Sequence, residues 1–414
     1  QSRKAPTVYL CPFNVQGPYM PGGIAEAGDM WFGHRYDYTN AQAGNYAWHT
    51  ILHEIGHSLG LKHGNEAVNG FAALPAKYDS LEYTVMTYRT YPGGPTDGYS
   101  YSQWSAPQTY MMADIAALQH MYGADFTTNS GDTVYRWDST SGDTYVNGKR
   151  AIDAGGATIF ATVWDGGGRD TYDLSGYSSD LHVNLAPGQA SLFAKSQLAS
   201  FGSHQYASGN IYNALQYDGD SRSLIENAIG GRGDDVLVGN IAGNKLSGSD
   251  GDDRIRGQSG ADILLGGDGN DWLAGGEEND RLYGGEDADR LLGGNGSDRL
   301  FGADGNDRLD GGDGKNILFG GDGSDKFFCE LGANMLTGGK GRDLFVISGG
   351  VDTITDFDGN DVLSLRSFGF SSAKEAMSHA EQVGHDVVFS FGSGSVLTIE
   401  DISIHDLTAA DFLF

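Results

Sequence analysis

Residues 266–292, GGDGNDWLAGGEENDRLYGGEDADRLL, consist of three nine-residue units built on one pattern. Each unit begins with two glycines, has an aspartate at its sixth position and has a leucine at its eighth position. The same register continues without an insertion through thirteen units, from Gly230 to Val346. A fixed short period of this kind is typical of repeat proteins, in which each repeat is one supersecondary element that stacks on its neighbours.

The repeated unit predicts a tight turn followed by a short strand. Glycine permits the left-handed dihedral angles of the turn, and the large apolar residue at the eighth position would point inward and stack on its equivalents. The sixth-position carboxylates would then form rows along the outside, where they repel one another unless a cation lies between them. Calcium takes about six to eight oxygen ligands, which carboxylates and turn carbonyls can supply. The pattern therefore predicts a calcium-binding parallel β-roll, whereas a disordered linker rich in glycine and aspartate would not need the apolar eighth position.

Ten of the thirteen units carry an aspartate at the sixth position. These aspartates are Asp235, Asp253, Asp262, Asp271, Asp280, Asp289, Asp298, Asp307, Asp325 and Asp343. The other three units have an asparagine there, at Asn244, Asn316 and Asn334, which offers an oxygen without a charge. Glu278 and Asp287 replace the glycine at the fourth position of two units. We expect the deviating units to bind calcium more weakly or not at all.

The composition excludes several classes of protein. The chain has 414 residues, enough for two or three domains, and its formal net charge of -29 repels nucleic acids and anionic membranes while attracting divalent cations. No stretch approaches the ~18 apolar residues of a membrane span, and the first residues lack the apolar stretch of a secretory signal peptide, so export would need another signal. The two cysteines, Cys11 and Cys329, define no disulfide framework, and Cys11 is expected to be an ordinary buried thiol.

HEIGHSLGLKH, residues 53–63, has the composition of a catalytic metal site. His53 and His57 are four residues apart, so on a helix both imidazoles project from one face. Glu54 lies beside them, where it could take a proton from a metal-bound water. Gly60 would end the helix and allow the chain to bring His63 round as a third ligand. Three neutral nitrogens leave a coordination position for water, which is typical of catalytic zinc rather than structural zinc.

Two segments downstream of the histidines support this interpretation. Residues 84–88, TVMTY, supply a methionine and a tyrosine in the arrangement of the turn that lies beneath the metal in metzincin proteases. MMADIAALQHMYG, from Met111, has the spacing of a second helix.

Strands are predicted on both sides of this region. GDMWFGHRYDY, from Gly28, alternates as an exposed strand would, and WDGGGRDTYDLSGYS, from Trp164, is similar to an isolated copy of the calcium turn. Segments 352–368 and 386–401, after the array, are predicted to form antiparallel strands joined by turns.

Together these motifs make the chain similar to the serralysin family of metzincin zinc metalloproteases. The resemblance runs from about residue 24 to the end of the chain and rests, in order, on HEIGHSLGLKH, TVMTY, DIAALQHMYGAD, GDTVY, VWDGGGRDTYDLSGYS, IENAIGG and the nine-residue array. It implies that His53, His57 and His63 bind one Zn²⁺, with Tyr88 as a further ligand in the resting state.

The resemblance also implies catalytic and substrate-binding roles. Glu54 would act as general base and then general acid, Met86 would form a hydrophobic floor beneath the metal, and Tyr88 would stabilise the oxyanion during turnover. Five consecutive residues would form the edge strand that pairs with an extended peptide substrate. They are Gly28, Asp29, Met30, Trp31 and Phe32.

Several structural calcium ions are implied as well, at positions that match the ligands of the family. Before the array these are Asn129, Gly131, Thr133, Asp165, Gly167, Gly168, Asp170, Leu224 and Glu226. Leu224 could serve only through its carbonyl group, and Asn129 is also expected to be a carbonyl donor. Within the array they are the ten sixth-position aspartates together with Gly231, Gly233, Asn240, Ala242, Asn244, Gly248, Ser249, Asp250, Gly251, Gly257, Ser259, Gly260, Gly267, Gly269, Gly294, Gly296, Gly305, Gly321 and Gly323.

The predicted fold is an α+β metzincin-type catalytic domain followed by an all-β parallel roll. Residues 1–122 would form the zinc metalloprotease domain, without the N-terminal part that family members carry before the zinc helix. Residues 123–346 would form the calcium-binding roll, and residues 347–414 a β segment that carries a type I secretion signal.

The function predicted from these observations is that of a calcium-dependent zinc endopeptidase, exported by a type I apparatus of a Gram-negative bacterium and acting on proteins or peptides. Low calcium in the cytosol would leave the roll unfolded, and external calcium would fold it. The rival hypothesis is a calcium-binding module that associates with the cell surface, such as an adhesin or an S-layer accessory protein, with a truncated or inactive protease domain.

Overall fold

The computed structural model describes residues 8–10, 18–19, 30–32, 37–67, 72–392 and 394–414. It divides into two compact units. The first unit comprises Gln1–Gly176 and Leu185–Ile225, and the second comprises Tyr177–Asn184 and Glu226–Phe414.

Helices and strands are numbered here in chain order. The helices are α1 Tyr46–Ser58, α2 Met112–Tyr122 and α3 Ala373–Met377. The strands are β1 Val8–Leu10, β2 Pro18–Tyr19, β3 Met30–Phe32, β4 Val134–Trp137, β5 Thr144–Val146, β6 Lys149–Ile152, β7 Ala161–Val163, β8 Thr171–Asp173, β9 His182–Asn184, β10 Ala190–Ser191, β11 Ser200–Gly202, β12 Gln205–Tyr206, β13 Ile211–Asn213, β14 Asn227–Ile229, β15 Val236–Val238, β16 Lys245–Asp250, β17 Arg254–Ser259, β18 Ile263–Asp268, β19 Trp272–Glu277, β20 Arg281–Glu286, β21 Arg290–Gly296, β22 Arg299–Asp304, β23 Arg308–Gly314, β24 Ile317–Gly323, β25 Lys326–Cys329, β26 Met335–Gly341, β27 Leu344–Ile347, β28 Val351–Ile354, β29 Val362–Ser364, β30 Ala380–Val383, β31 Asp386–Gly392, β32 Ser395–Ile399 and β33 Phe412–Leu413.

The first unit contains the two predicted helices and small sheets. Its main core joins residues on both sides of α2, among them Leu61, Met86, Met111 and Phe160. A second cluster packs Phe32 against α1. Both helices were predicted from the sequence and are confirmed.

The predicted edge strand is wrong in one respect. β3 lies in the middle of a three-stranded sheet, because it pairs in parallel with β1 and antiparallel with β2. Phe32 is 1% exposed, since it packs against Tyr38 with the ring centroids 4.9 Å apart. Both hydrogen-bonding edges of β3 are therefore already paired, and no free edge remains there for a substrate. Gly28 and Asp29 lie outside the described residues.

The second unit contains a parallel roll, which confirms the predicted architecture. Its predicted start at residue 123 differs from the structure, in which residues 123–176 and 185–225 belong to the first unit. The strands of the roll form two sheets, one in the order β30-β31-β32-β28-β26-β24-β22-β20-β18-β16-β14 and one in the order β33-β29-β27-β25-β23-β21-β19-β17-β15-β9. Within the array each strand pairs in parallel with the strand eighteen residues later, as Leu246 does with Leu264. One coil of the roll therefore contains two nine-residue units, one in each sheet.

The eighth-position residues form the interior of the roll, as predicted. All thirteen have 0% exposed surface: Leu237, Leu246, Ile255, Leu264, Leu273, Leu282, Leu291, Leu300, Leu309, Leu318, Phe327, Leu336 and Phe345. Each stacks on the equivalent residue of the next coil, so the two rows together make one continuous apolar core.

The sequence predicts the sixth-position side chains on the outside of the roll. This prediction is wrong, because the side chains are buried. Asp262 and Asp280 are each 1% exposed. The Oδ1 atom of Asp280 accepts a hydrogen bond of 2.8 Å from the backbone N–H of Asp262, eighteen residues earlier, and the same bond recurs along both rows at 2.6–3.2 Å. The reason is that the turn leaves a backbone N–H group without a partner in the strands, and a buried N–H requires an acceptor.

The paired glycines are explained by the same carboxylates. A Cβ on Gly266, at a first position, would lie 2.1 Å from Oδ2 of Asp271 in the same unit. Gly267, at a second position, has a φ of 131°, and a Cβ there would lie 1.9 Å from the carbonyl oxygen of Ser249. The first glycine makes room for the aspartate, and the second allows the left-handed bend at the end of the strand.

The roll extends beyond Val346, which corrects the prediction for residues 352–368. β28 and β29 pair in parallel with β26 and β27. Asp352 and Asp361 continue the two rows, because their Oδ1 atoms accept the N–H groups of Asn334 and Asp343. These two units lack most of the glycines of the array, so the repeat was not visible in the sequence. Only the later segment forms an antiparallel hairpin, β31 with β32, as predicted.

We expect the substitution Leu282→Ala to lower the free energy of unfolding by about 2–5 kcal/mol, because it leaves a cavity in a row of fully buried side chains. The matched control is Arg290→Ala, at an exposed site on a strand of the opposite sheet, which should change the free energy by less than about 0.5 kcal/mol. Urea unfolding in calcium, followed by circular dichroism, measures both. Equal effects of the two substitutions would contradict the assignment of the core.

Candidate metal centre

The histidine stretch lies on α1 and the turn that follows it. Asn45 caps the helix by accepting a 2.8 Å hydrogen bond from the N–H of Trp48. The helix ends at Ser58, and Gly60 has a φ of 100°, which reverses the chain. The N–H of Leu61 then bonds back to the carbonyl of Gly56 at 2.9 Å. This tight ending carries His63 back towards the helix.

Three imidazoles converge at one point. The Nε2 atom of His63 lies 3.2 Å from Nε2 of His53 and 3.0 Å from Nε2 of His57. Among the described residues these three histidines are the one group of three or more metal-ligating side chains that is gathered closely enough to hold an ion.

The other ring nitrogen of each histidine is held by an acceptor. Nδ1 of His53 lies 2.7 Å from the carbonyl oxygen of Val85, and Nδ1 of His57 lies 3.0 Å from that of Leu61. Nδ1 of His63 lies 3.0 Å from a carboxylate oxygen of Glu66. Carbonyl and carboxylate oxygens accept only, so each Nδ1 carries the proton and each Nε2 presents a lone pair to the common point.

The donor set fits a zinc ion. With Zn–N bonds of about 2.0–2.1 Å in a tetrahedral arrangement, two ligand nitrogens lie about 3.3 Å apart, which is close to the observed separations. Burial lowers the pKa of His57 and lowers that of His53 to about 4, so both rings are neutral at neutral pH, as ligands must be.

Glu54 and Tyr88 lie next to this cluster. Burial raises the pKa of the Glu54 carboxyl, while the nearby ring of His63 lowers it. The hydroxyl of Tyr88 lies 2.9 Å from Nε2 of His63. Burial is the largest cause that raises the pKa of Tyr88, followed by the charges of Glu54 and Glu66. The phenol therefore keeps its proton at neutral pH and can donate a hydrogen bond.

Met86 lies beneath the cluster and is 2% exposed. A Cβ added to Gly56 would lie 2.5 Å from the sulfur of Met86, so the glycine in the middle of α1 allows this side chain to approach the helix. The sequence alone did not single out Gly56, although an isolated glycine inside a helix was the signal that could have found it.

Asp114 is the second residue near the site that the sequence analysis missed. Its carboxylate accepts hydrogen bonds from the hydroxyl of Thr84 at 2.5 Å, from the N–H of Val85 at 2.8 Å and from the N–H of Met111 at 3.0 Å. Burial raises the pKa of Asp114 to about 6, against the opposing effect of these bonds. Asp114 therefore fixes the turn at residues 84–86 to α2. The carbonyl of Val85 in this turn orients the ring of His53.

A cleft opens beside Tyr88, with a volume of about 790 Å³. Tyrosines contribute much of its wall, and Asp37 and Asp97 are the charged residues in its lining. Its lining tyrosines are Tyr46, Tyr88, Tyr99 and Tyr101. None of the three histidines lines this cleft, which meets the site at Tyr88. A space of this size can hold a segment of an extended chain.

Seven of the nine calcium positions predicted before the array lie close together in the first unit. Thr133 donates its N–H to Asp170 at 2.8 Å and its hydroxyl to the carbonyl of Gly131 at 2.8 Å. Gly167 donates its N–H to Asp165 at 2.8 Å, and its φ is 134°. A Cβ on Gly168 would lie 2.6 Å from the carbonyl oxygen of Gly131, and the hydroxyl of Thr133 also bonds to the carbonyl of Asn129 at 3.2 Å.

The last predicted positions before the array lie at the junction of the sequence segments of the two units. Leu224 and Glu226 are 2% and 8% exposed. The carbonyl of Glu226 accepts a 2.9 Å hydrogen bond from the side-chain amide of Asn244.

Cys329 is buried with a free thiol, and Cys11 lies outside the described residues.

The array presents a row of carboxylate oxygens that fits calcium. Ten sixth-position Oδ2 atoms are buried and have no hydrogen-bond partner: those of Asp253, Asp262, Asp271, Asp280, Asp289, Asp298, Asp307, Asp325, Asp343 and Asp352. An unsatisfied buried carboxylate oxygen is costly, and a hard divalent cation ligated by oxygen removes that cost. Asn316 and Asn334 differ, because their amide groups donate to the carbonyl of Gly312 and to Oδ1 of Asp352.

A roll of acidic turns and a three-imidazole cluster define a protein related to the metalloproteases that carry calcium-binding repeats. Residues 124–414 match the family model described as Peptidase M10 serralysin C terminal. The chain belongs to the serralysin family. Serralysin G of Dickeya chrysanthemi is 35% identical over 240 residues, which are 55% of this chain and 44% of that protein. Serralysin of Proteus mirabilis is 36% identical over 53% of this chain and 41% of its own length.

A third relative, Metallopeptidase AprA of Pseudomonas marginalis, is 34% identical over 55% of this chain and 45% of that protein. The match thus covers less than half of the length of each of these relatives. Among solved structures, the AlgE6R3 subunit of the Azotobacter vinelandii mannuronan C5-epimerase has 26% identity over 34% of this chain and 80% of its own, with a TM-score of 0.25. Within the described residues, no helix has both the length and the apolar character needed to cross a membrane.

We expect Asp114→Asn to weaken zinc binding and to lower the free energy of unfolding by about 1.5–3 kcal/mol, because an amide cannot accept all three hydrogen bonds. Competition with a chromophoric chelator measures the zinc affinity, and urea unfolding measures stability. The matched control is Asp153→Asn, at a 58% exposed site in the same unit. An unchanged zinc affinity in Asp114→Asn would show that the turn is positioned by other contacts.

We expect the metal-free roll to lose stability as the pH rises from about 5 to about 8. In the metal-free roll, burial raises the pKa of Asp253, Asp262 and Asp289 to about 8 from an ordinary 3.8. The folded chain therefore holds protons between about pH 4 and pH 8 that the unfolded chain has lost, so metal-free stability falls as pH rises through this window. Circular dichroism of the chain in a chelator should show more β-sheet signal at about pH 5 than at about pH 8, and an equal signal at both would contradict the prediction.

Proposed function

We propose that this chain is the zinc- and calcium-binding part of a secreted endopeptidase that hydrolyses peptide bonds in proteins. The observation that carries the proposal is the convergence of three Nε2 lone pairs beside a half-buried glutamate and a tyrosine hydroxyl. The family membership supports it. The assignment of His53, His57 and His63 as zinc ligands is part of the proposal.

His53, His57 and His63 would hold a zinc ion, which would supply Lewis acidity for the carbonyl group and for a water molecule. Glu54 accepts the proton of the attacking water, and its raised pKa then makes it an effective donor to the leaving amine. The neutral phenol of Tyr88 donates a hydrogen bond to the oxyanion that develops on the carbonyl. Met86 closes the apolar floor beneath the imidazoles and keeps their positions fixed.

The substrate would enter through the cleft beside Tyr88 rather than pair with β3, whose two edges are already occupied. An open cleft of about 790 Å³ accommodates an extended segment of several residues and sets few restrictions on the sequence. We therefore propose proteins and peptides as the class of substrate.

Calcium would determine when the second unit folds. Ten buried carboxylate oxygens without a partner make the metal-free roll unfavourable at neutral pH, and calcium converts its free energy of binding into free energy of folding. We propose that the chain leaves a Gram-negative cell unfolded through a type I secretion apparatus and folds in external calcium, with residues 347–414 carrying the signal. The predicted ligands in residues 129–226 and in the array are part of this proposal.

We expect the calcium- and zinc-loaded chain to cleave casein, and Glu54→Gln to reduce kcat/KM by about 10²–10⁴-fold, because the general base is lost. The matched control is Glu381→Gln, at an exposed position of β30. Zinc content by elemental analysis shows that the metal site is intact in every variant. Activity that survives Glu54→Gln would overturn the enzymatic role of this site.

The rival function gives a different result in the same experiment. A calcium-binding surface module with an inactive protease part would bind both metals and would leave casein uncleaved even before substitution. That outcome would reject the endopeptidase and leave the calcium-stabilised roll in place.

A further inference from the structure

We propose that the outer face of the ten-stranded sheet of the roll binds a linear anionic polysaccharide, which lies along the direction in which the coils stack. The proposal rests on the second unit alone and does not depend on proteolytic activity. The surface is called the basic column below. It is formed by the first residues of five neighbouring strands, β17, β19, β21, β23 and β25. These residues are Arg254, Trp272, Arg290, Arg308 and Lys326.

The strands place these five side chains next to one another. Each strand pairs in parallel with the next, and the paired residues are Arg254 with Trp272, Trp272 with Arg290, Arg290 with Arg308, and Arg308 with Lys326. Neighbouring strands lie about 4.8 Å apart, so the basic column is about 19 Å long. The residue after each of the five is a fully buried core residue, and side chains alternate along a strand, so the five side chains point outward.

Four cations are therefore concentrated on one face of an acidic protein. Arg254, Arg290 and Lys326 are exposed, and Arg308 is half-buried. In the part of the chain that the structure describes, none of the four is in a salt bridge. Like charges on adjacent strands destabilise a sheet. Their alignment without carboxylate partners therefore indicates an anionic ligand rather than a contribution to the fold.

Aromatic rings hold two arginines at the basic column. The guanidinium of Arg256 lies over the ring of Trp272, 5.2 Å from its centroid, and adds a fifth cation beside the column. The guanidinium of Arg308 lies over the ring of Phe328 at 3.4 Å. Because these contacts restrict long side chains before a ligand binds, less conformational entropy is lost on binding. Trp272 is itself half-buried, and its exposed part can pack against the apolar face of a sugar ring.

The acidic residues around the basic column favour a narrow ligand. Asp252 and Asp310 lie two residues from Arg254 and Arg308, respectively. Glu277 and Asp313 lie at the far side of the strands, five residues or up to about 16 Å along the chain, where exposed charges are largely screened at physiological ionic strength. A single polymer chain can lie on the cations without meeting those distant acids. A membrane surface or a nucleic-acid duplex would cover them as well.

Two other linear polyanions fit this face less well. An extended acidic peptide typically binds at a free strand edge, and both edges of β19, β21 and β23 are paired within the sheet. Single-stranded nucleic acid is bound by stacking successive bases on aromatic side chains, whereas the basic column contains one tryptophan among four cations. A sugar residue of an extended polysaccharide is close in length to the spacing of the strands, so its acidic groups can meet successive cations.

The equivalent positions of the opposite sheet do not form such a column. There the strands β16, β18, β20, β22, β24 and β26 begin with Lys245, Ile263, Arg281, Arg299, Ile317 and Met335. Three apolar residues divide the cations, and the adjacent cations are Arg281 and Arg299. Both are exposed, so this pair supplies a matched control.

Calorimetric titration of the calcium-loaded full chain with a heparin octasaccharide tests the proposal. We expect binding that weakens as the salt concentration rises, because several cations are neutralised. Arg290→Glu with Arg308→Glu should raise the dissociation constant about tenfold or more. Arg281→Glu with Arg299→Glu changes the net charge equally on the opposite sheet and should raise it less than about threefold. A chain that does not bind the octasaccharide, or equal effects of the two double variants, would overturn the proposal.

Trp272→Ala and other polymers test the class of the ligand. Trp272→Ala should raise the dissociation constant for the octasaccharide about threefold or more and leave its salt dependence unchanged, because an uncharged contact with a sugar is lost. Uncharged dextran of the same length, polyglutamate, polyuridylate and phosphatidylglycerol vesicles should each bind at least about tenfold more weakly than the octasaccharide.

Circular dichroism in calcium checks that each variant is folded, and the arginine pair and Trp272→Ala give independent readouts if one of them is not. Equal or tighter binding of any of the other four probes, or an unchanged affinity of a folded Trp272→Ala chain, would overturn the assignment to an anionic polysaccharide.

Discussion

The roll depends on one hydrogen bond that is repeated along its length, in which a sixth-position side-chain oxygen accepts the backbone N–H of the residue eighteen positions earlier. Only a residue with a short side chain and an acceptor oxygen can reach that N–H, so Asp or Asn is required. The bond draws the carboxylate into the turn and out of water. Its second oxygen is then left without a partner, which is the state that a proton or a cation relieves. The fold and the demand for calcium therefore have the same origin.

In the first unit, the candidate metal centre is held by a chain of contacts that begins on α2. Asp114 fixes the turn at residues 84–86, the carbonyl of Val85 fixes the ring of His53, and the sulfur of Met86 fills the space left by Gly56. Each contact restricts the position or the orientation of the imidazole rings. Such supporting contacts fix the orientation of the ligand rings, and losing them weakens metal binding. The two helices and the turn consequently act as one rigid support.

Much of this architecture was accessible from the sequence, because periodicity and ligand spacing are local properties. The nine-residue period predicted the coil and its core, and the four-residue spacing of His53 and His57 predicted two rings on one face. The burial of the sixth-position aspartates was not predicted, since it depends on where the N–H groups of a neighbouring coil lack acceptors. The central position of β3 was missed because it depends on pairing with two other segments of the chain, which is not a local property of the sequence. The role of Asp114 was hidden because two of its three hydrogen-bond partners, Thr84 and Val85, are 30 and 29 residues away, and a lone acidic residue in a helix carries no motif.

The offset of eighteen residues between paired strands has a consequence for how this chain can vary in length. A duplication or deletion of one whole coil leaves every remaining strand beside a strand of its own sheet, and a solenoid tolerates it because contacts reach only to the adjacent coil. An insertion or deletion of nine residues would instead move every following strand into the opposite sheet. The sixth-position row that contains only aspartates would then continue into the row that carries Asn316 and Asn334. Aspartates would no longer follow one another in successive turns of that row. Variation in family members of this kind should therefore proceed in steps of two units.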